Sequence, residues 1–241
     1  MKNFIYKIKL DLKQLFSYPD SSLKDHPVVD YDYYWEQRGR KGVSSLSNWQ
    51  KQRAEYVIKL VSPGDVILDI GCGDGAVLKY INDRTNSNGI GADMSDIVLE
   101  AAKKLGTNTI KIDIRDIKSI NSLPEVDFII GFEILEHLPE PEILVISLFK
   151  KAKKGLLFSV PNTGYYAHRL RLLFGRFPLQ WVVHPSEHLR FWTARDARRW
   201  LLSLGIPLEN MFFYEGLPFL NKIIPTLFAQ GMIIYIKKDD V

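Results

Sequence analysis

The sequence predicts an α/β fold around a doubly wound, mostly parallel sheet, and two observations support this. After about residue 60, short apolar runs that would form strands alternate with segments of helical periodicity. The first of these runs leads into a glycine loop, and a helical pattern begins directly after the loop at Ala76. Strands that alternate with helices form parallel sheets covered on both faces, and their ligands bind beyond the carboxyl ends of the strands.

The predicted elements can be placed one by one along the chain. Strands are expected at 66–70, 89–93, 109–112, 126–132 and 155–160, with further extended segments at 211–214 and 232–237. Helices are expected from 76 to 82, over 97–105, over 143–150 and over 193–204. Thr193 is a favourable N-cap for the last helix, and Gly205 is a favourable residue to end it.

Composition and charge are those of an ordinary globular protein. The 241 residues are 46% hydrophobic and 25% charged, and a chain of this length can bury a sizeable core. The single cysteine, Cys72, excludes an internal disulfide and a cysteine-based metal cluster. A net charge of +4 does not by itself indicate nucleic acid as a partner.

Two regions fall outside the alternation of strands and helices. The chain is predicted to divide into an N-terminal helical extension or lid, residues 1–55, and a main domain, residues 56–241. The main domain carries an insertion at 162–192, after the fifth strand. Both the extension and the insertion are expected to cover the binding pocket and to select the substrate.

Several segments bear on the cellular location. Residues 1–16 show no signal-peptide pattern, and their apolar positions have helical spacing with lysines largely on the other face. This pattern fits either a helix packed on the domain or a helix lying on a membrane surface. Residues 217–236 are apolar but too interrupted for a spanning helix. The sequence predicts a cytoplasmic protein, with peripheral membrane contact by residues 1–16 as an open alternative.

The glycine loop consists of Gly71, Gly73 and Gly75 and follows Asp69. A Cβ in such a turn would obstruct either the backbone angles or a ligand lying against the backbone. The spacing lacks the third, more distant glycine of dinucleotide-binding sequences and the Gly-Lys-Ser/Thr ending of a phosphate-binding loop. The loop therefore indicates a nucleotide-like ligand without specifying which one.

Acidic residues also end the second and third predicted strands. Asp93 lies about twenty residues after the glycine loop, where a carboxylate can accept hydrogen bonds from both hydroxyls of a ribose. Asp113 would lie beside an adenine ring and could accept from its amino group. Both could be ordinary surface acids, but acids at the ends of three strands favour a ligand site.

Four segments in order, VLDIGCGDG, IGADMS, IKIDIRDI and VDFIIGFEILEHL, resemble the motifs of class I S-adenosylmethionine-dependent methyltransferases. The resemblance covers roughly residues 60–160 and implies a Rossmann-like, seven-stranded sheet whose last strand is antiparallel. It assigns Asp69 and the glycine turn to the methionine part of S-adenosylmethionine, Asp93 to the ribose, and Asp113 to the adenine. The predicted cofactor set is Asp69, Gly71, Cys72, Gly73, Gly75, Asp93, Met94, Asp113, Ile114, Phe132 and Glu133.

A second resemblance covers residues 155–205. The segments GLLFSVPNTGYYAHRLRLLFGRFPLQW and HLRFWTARDARRW are similar to MetW-type proteins (methionine biosynthesis protein W) and to type 11 methyltransferases. MetW-type proteins generally lack the Glu-x-x-Glu-His found at 133–137. This resemblance implies a shared architecture and leaves open a non-catalytic partner or regulatory role.

The Glu-x-x-Glu-His stretch carries the catalytic and metal predictions. Together with the later His188 it resembles small-RNA 2′-O-methyltransferases, in which the four matching side chains bind a divalent metal. The candidate ligands are Glu133, Glu136, His137 and His188, although many metal-free members share the stretch. If the acceptor is protonated, a general base is needed, and His137 and His188 are the first candidates ahead of His168 and His184.

Substrate contacts are predicted on the extension and the insertion. The segment YDYYWEQRG, with Tyr34 and Arg38, resembles the N-terminal lid of small-molecule methyltransferases. In the insertion, Tyr165, His168 and Arg169 are the candidates, and the excess of arginine there favours an anionic acceptor. The predicted function is methyl transfer from S-adenosylmethionine to a small-molecule, sugar or glycan-like acceptor. A non-catalytic partner protein and a metal-dependent RNA 2′-O-methyltransferase are the alternatives, and nucleic acid is not the expected partner.

Overall fold

The computed structural model describes residues 2–16, 45–180 and 188–238. The strands are β1 (Val66–Ile70), β2 (Asn88–Asp93), β3 (Asn108–Lys111), β4 (Val126–Phe132), β5 (Ala152–Pro161), β6 (Asn210–Tyr214) and β7 (Gly231–Lys237). They form one seven-stranded sheet in the order β3-β2-β1-β4-β5-β7-β6. The neighbouring pairs from β3 to β5 are parallel, whereas β7 is antiparallel to both β5 and β6. The predicted fold class is confirmed.

The helices alternate with these strands. They are α1 (Lys2–Phe16), α2 (Asn48–Ile58), α3 (Ala76–Thr85), α4 (Asp96–Lys104), α5 (Ile117–Ser122), α6 (Pro141–Lys151), α7 (Tyr166–Leu173), α8 (Ala194–Ser203), α9 (Leu220–Ile223) and α10 (Pro225–Phe228). A short 3₁₀ turn covers Leu135–His137. Helix α2 continues across the boundary predicted between residues 55 and 56. No helix in the described ranges combines the length and apolar character needed to cross a membrane.

The strand order reverses between β1 and β4, and this reversal positions the site. The chain moves outward from β1 to β3 and then returns to place β4 on the other side of β1. The crossovers that follow β1 and β4 therefore leave the sheet in opposite directions. The carboxyl ends of strands β1 and β4 lie side by side with a crevice between their crossovers, and doubly wound sheets bind ligands in such a crevice.

The core lies on both faces of the sheet because successive strand residues point in opposite directions. On one face, Leu68 and Ile129 pack in a cluster with residues of α6 and α8, among them Leu144 and Leu201. On the other face, Ile67 of β1 and Ile130 of β4 pack against α2 and α3. This second cluster includes Val57 of α2 and Leu78 of α3. Burial on both faces explains why the central strands are continuous apolar runs.

Polar contacts attach helix α1 to α7 and to the residue that precedes it. The hydroxyls of Tyr165 and Tyr166 donate to Asp11 at 2.6 and 2.8 Å, and Lys7 forms an ion pair with it at 3.3 Å. The guanidinium of Arg171 donates to the carbonyls of the last turn of α1, which have no partner within the helix. Packing on the domain was one of the two alternatives predicted for residues 1–16.

The N-terminus of α8 provides a test of local stability. Thr193 Oγ1 accepts from the Asp196 N–H, and the Asp196 carboxylate accepts from the Thr193 N–H, which together form a capping box. Thr193→Ala is expected to lower the free energy of unfolding by about 1 kcal/mol, because the first turn loses its cap. Urea unfolding measures the change, and Thr193→Ser, which retains the hydroxyl, is the control. Equal stability of Thr193→Ala and the wild type would contradict this role.

Candidate functional site

The glycine loop at the end of β1 has the backbone that its sequence predicts. Gly71, Gly73 and Gly75 have φ angles of +71°, +55° and +76°, a region that side chains disfavour. A Cβ on Gly71 would lie 2.7 Å from Cγ2 of Ile134, which follows β4. The loop is tied to the next strand, because the Gly71 and Cys72 N–H groups donate to the Ala92 carbonyl at 2.7 and 3.1 Å. The turn therefore requires glycine for both its angles and its packing.

Asp93 joins the end of β2 to this loop. Its carboxylate accepts from the Gly73 N–H and from the Ser95 N–H, each at 3.0 Å. Met94 is half-buried beside it. The structure thus places Asp93 against the glycine turn, and a contact of Asp93 with ribose stays a prediction.

Asp69 is a buried acid of β1 beneath the loop. Burial raises its pKa to about 8, and the neighbouring Asp93 adds to the rise while Arg53 opposes it. Burial also raises the pKa of the Cys72 thiol well above its usual value. The Cys72 sulfur lies 2.8 Å from where a Cβ on Gly91 would be, so this cysteine packs the turn against β2.

The predicted adenine residues lie at the end of β3. The Asp113 carboxylate accepts two hydrogen bonds from the Arg115 guanidinium, at 2.9 and 2.7 Å. The side-chain hydrogen bonds from Arg115 lower the pKa of Asp113, which is partly exposed. Ile114 is half-buried against the core. A contact of Asp113 with adenine stays a prediction, and in this structure the carboxylate is paired with Arg115.

A buried network around Glu133 was not predicted from the sequence. Arg53, on α2, lies 3.2 Å from the Glu133 carboxylate and donates to Ser159 Oγ at 3.3 Å. The hydroxyls of Ser159 and Tyr214 each donate to Glu133 at 2.8 Å. The Arg53 guanidinium also lies over the rings of Phe132 and Tyr214. The partners come from α2, β4, β5 and β6, and no local sequence pattern links such distant positions.

Glu136 is in a very different environment from Glu133. It is only 1% exposed, and neither carboxylate oxygen has a hydrogen-bond partner within the described residues. Burial, followed by the charge of Glu133, raises its pKa well above the ordinary value. Its backbone carbonyl accepts from the N–H groups of Leu189 and Arg190 at 2.7 and 3.1 Å. These bonds bring the segment after residue 187 to the end of β4.

The two predicted catalytic histidines meet at this point. The rings of His137 and His188 are edge to face, with centroids 4.9 Å apart. Ligand atoms of Glu136, His137 and His188 all lie within 4.8 Å of one another. The structure brings together three of the four predicted metal ligands, while Glu133 is in the ion pair with Arg53.

The predicted substrate residues lie elsewhere or outside the described residues. Tyr165 is buried in the contact with α1, and the adjacent His168 has its pKa lowered to about 4 by burial. Arg169 Nε donates to the Gly164 carbonyl at 2.7 Å. Tyr34 and Arg38 lie outside the described residues. A contact of any of these five residues with substrate stays a prediction, and the structure gives Tyr165 a position that supports α1.

Comparisons with known proteins extend these observations. The model of the methyltransferase-domain family matches residues 16–208. A ubiquinone biosynthesis O-methyltransferase of Hahella chejuensis is 27% identical over 158 residues, covering 62% of this chain and 66% of the relative. One of the same name from Coxiella burnetii, strain Dugway 5J108-111, is 26% identical over 199 residues, covering 74% and 83%.

Solved structures share the fold at low sequence identity. An S-adenosylmethionine-dependent methyltransferase of Archaeoglobus fulgidus superimposes with a TM-score of 0.63 at 20% identity, covering 87% of this chain and all of that one. A magnesium protoporphyrin IX methyltransferase of Synechocystis, solved with bound SAH, gives a TM-score of 0.60 at 16% identity, with 86% and 94% covered. The family match, the strand order and the glycine turn all indicate the same family and fold. The chain therefore belongs to the methyltransferase-domain family and is a class I S-adenosylmethionine-dependent methyltransferase.

Proposed function

We propose that the protein transfers the methyl group to a hydroxyl of a small-molecule or sugar-like acceptor, with the His137–His188 pair as the proton acceptor. The observation that carries the proposal is the meeting of these two imidazoles beside buried Glu136 at the end of β4. This end of β4 adjoins the glycine turn that follows β1. The relatives that are named O-methyltransferases support oxygen as the acceptor atom.

The residues at the ends of β1 and β2 fit the donor. The glycine turn gives a long ligand room to lie against the backbone, and Asp93 places a carboxylate beside that turn, where a ribose diol would bind. The methionine part carries a carboxylate and an ammonium group. Arg53 offers a cation for the first. Asp69 offers a carboxyl group for the second, and the positive charge of the ammonium group would favour its ionised form against the effect of burial. When bound, S-adenosylmethionine supplies a methyl group already activated by its sulfonium.

The protein's remaining task is to hold the acceptor oxygen in line with the sulfur–methyl bond of the donor and to remove the acceptor's proton. A hydroxyl must lose its proton as its oxygen bonds to the methyl carbon, and an imidazole nitrogen of His137 or His188 accepts that proton. Helix α2 and the insertion border this end of the sheet and would help to exclude water.

A non-catalytic partner protein is the alternative of another class. Such a protein has no need for a donor site, whereas Asp69, Asp93 and the glycine turn are all present here in position to form one. Failure to bind S-adenosylmethionine at millimolar concentration in calorimetry would favour the alternative and reject the enzyme proposal.

The histidine pair gives the first prediction for the reaction. We expect His137→Gln and His188→Gln each to lower kcat/KM by about 100-fold, the usual contribution of a positioned general base. Formation of the demethylated donor product is measured with a panel of phenols, sugars and hydroxy acids as acceptors. The affinity for S-adenosylmethionine, measured on the same variants, should change less than about twofold, because neither side chain is assigned to the donor. Full activity in both variants would contradict the assignment.

Asp69 gives a pH-dependent prediction. The folded protein without donor holds a proton on Asp69 up to about pH 8, whereas the unfolded chain releases it near the ordinary value of 3.8. The contribution of Asp69 to stability is therefore complete below about pH 4 and is lost as the pH rises toward 8. Asp69→Asn should be more stable than the wild type by about 1–3 kcal/mol at pH 8 and equal to it near pH 4.

Urea unfolding of the protein without donor at several pH values tests this prediction. The same variant should bind S-adenosylmethionine at least about tenfold more weakly, since it lacks the anion for the ammonium group. A stability difference that is independent of pH would contradict the raised pKa. Unchanged donor affinity would contradict the assignment of Asp69 to the methionine part.

A divalent metal at Glu136, His137 and His188 is the second candidate for activating the acceptor. Among the described residues, three donors converge within 4.8 Å, and the fourth predicted ligand, Glu133, is engaged by Arg53. This arrangement favours the general-base role. We expect enzyme treated with EDTA to keep most of its activity. Loss of activity on chelation, restored by Mn²⁺ and abolished in Glu136→Gln, would instead support the metal and revive the RNA 2′-O-methyltransferase alternative.

A further inference from the structure

The outward face of α1 and the chain around the end of α7 together expose an apolar surface, which we call the α1/α7 surface. On α1, Ile5, Leu12 and Phe16 share one stripe by their spacing along the helix. Beside the end of α7, Leu173, Phe174 and Phe177 are also exposed, and Phe16 and Leu173 keep 65% and 76% of their surface in contact with solvent. The two parts meet where the rings of Phe16 and Phe174 lie 6.0 Å apart.

The charge around this surface is almost entirely positive. Residues 3–16 and 165–180 carry six cations, of which Arg171 is buried and Lys7 is paired with Asp11: Lys7, Lys9, Lys13, Arg169, Arg171 and Arg176. The only acid in these two ranges is Asp11, which lies on the buried side of α1 and accepts hydrogen bonds from Tyr165 and Tyr166. Lys9 and Lys13 are exposed next to the apolar stripe. The partner that this surface fits is therefore both apolar and anionic.

Polar contacts fix the orientation of the stripe. Asp11 lies on the opposite side of α1 from Phe16 and is bonded to Tyr165 and Tyr166, so the helix cannot turn its apolar stripe inward without breaking those bonds. At the end of the helix, Arg176 donates to the Phe16 carbonyl at 2.8 Å. The exposure of the stripe is thus built into the attachment of α1. Exposed apolar patches of this kind mark interaction sites.

We propose that the α1/α7 surface binds a membrane containing anionic phospholipids. The apolar side chains would enter the boundary between headgroups and acyl chains, and Lys9, Lys13 and Arg176 would meet the phosphates. This function goes beyond methyl transfer. The insertion that contains α7 also contributes His188, so membrane contact would lie on an element that borders the acceptor side of the site.

Vesicle sedimentation with the full chain tests the proposal. The protein should bind vesicles of phosphatidylcholine with ~30% phosphatidylglycerol and bind pure phosphatidylcholine vesicles at least about tenfold more weakly, with binding reduced by salt. Phe16→Glu and Leu173→Glu should each lower the partition coefficient at least about tenfold, and Lys9→Gln about fivefold. The matched control is Leu202→Glu on α8, which is 63% exposed outside this surface and should bind as the wild type does.

Three results would overturn the proposal. They are absence of binding to anionic vesicles, equal loss of binding in Leu202→Glu, and self-association in solution that Phe16→Glu abolishes while no vesicle binding is seen. The last result would identify a second copy of the chain as the occupant. Affinity for S-adenosylmethionine, measured on the same variants, separates this test from the test of methyl transfer, since none of the substituted residues belongs to the donor site.

Discussion

The ion pair between Arg53 and Glu133 is the interaction on which the arrangement of the site depends. It joins α2 to the end of β4, and the hydroxyls of Ser159 and Tyr214 extend it to β5 and β6. Glu133 has a φ of +57°, a conformation that a residue other than glycine holds only when its surroundings stabilise it. The 3₁₀ turn that carries Glu136 and His137 begins two residues later. The position of the proposed base therefore follows from a contact made by a helix about 80 residues earlier in the chain.

The central strands were predictable because burial on both faces leaves a clear pattern. The predictions for β1 and β4 match the structure residue for residue, since both are apolar runs between polar boundaries. The glycine turn was equally predictable from the sequence, because its φ angles require glycine. Elements without a strong pattern were missed, such as the short helix α5. Residues 1–55 were predicted as a helical extension, but the bounds of α2 were not predicted, since this helix has a weak apolar face.

The functions of individual side chains were less predictable, because distant partners decide them. In the sequence, Glu133 and Glu136 are equivalent carboxylates on one short motif. In the structure, Glu133 is paired with Arg53 in a network. Glu136 is buried without a hydrogen-bond partner in the described residues, and its pKa is raised. Tyr165 was likewise expected at the substrate. In the structure its hydroxyl bonds to Asp11, which lies 154 residues earlier in the chain, and no local pattern reveals that contact.

The attachment of α1 through Asp11 has a consequence for the energetics of the whole molecule. One carboxylate oxygen receives the hydroxyls of both Tyr165 and Tyr166, at the start of the insertion that also supplies His188. Any ligand that changes how firmly α1 is attached must therefore also act on this insertion. Suppose that an acceptor bound at the insertion changes the affinity of α1 for its own partner by some factor. By thermodynamic reciprocity, that partner then changes the affinity for the acceptor by the same factor. Binding at α1 and binding at the acceptor site would in this sense be thermodynamically coupled.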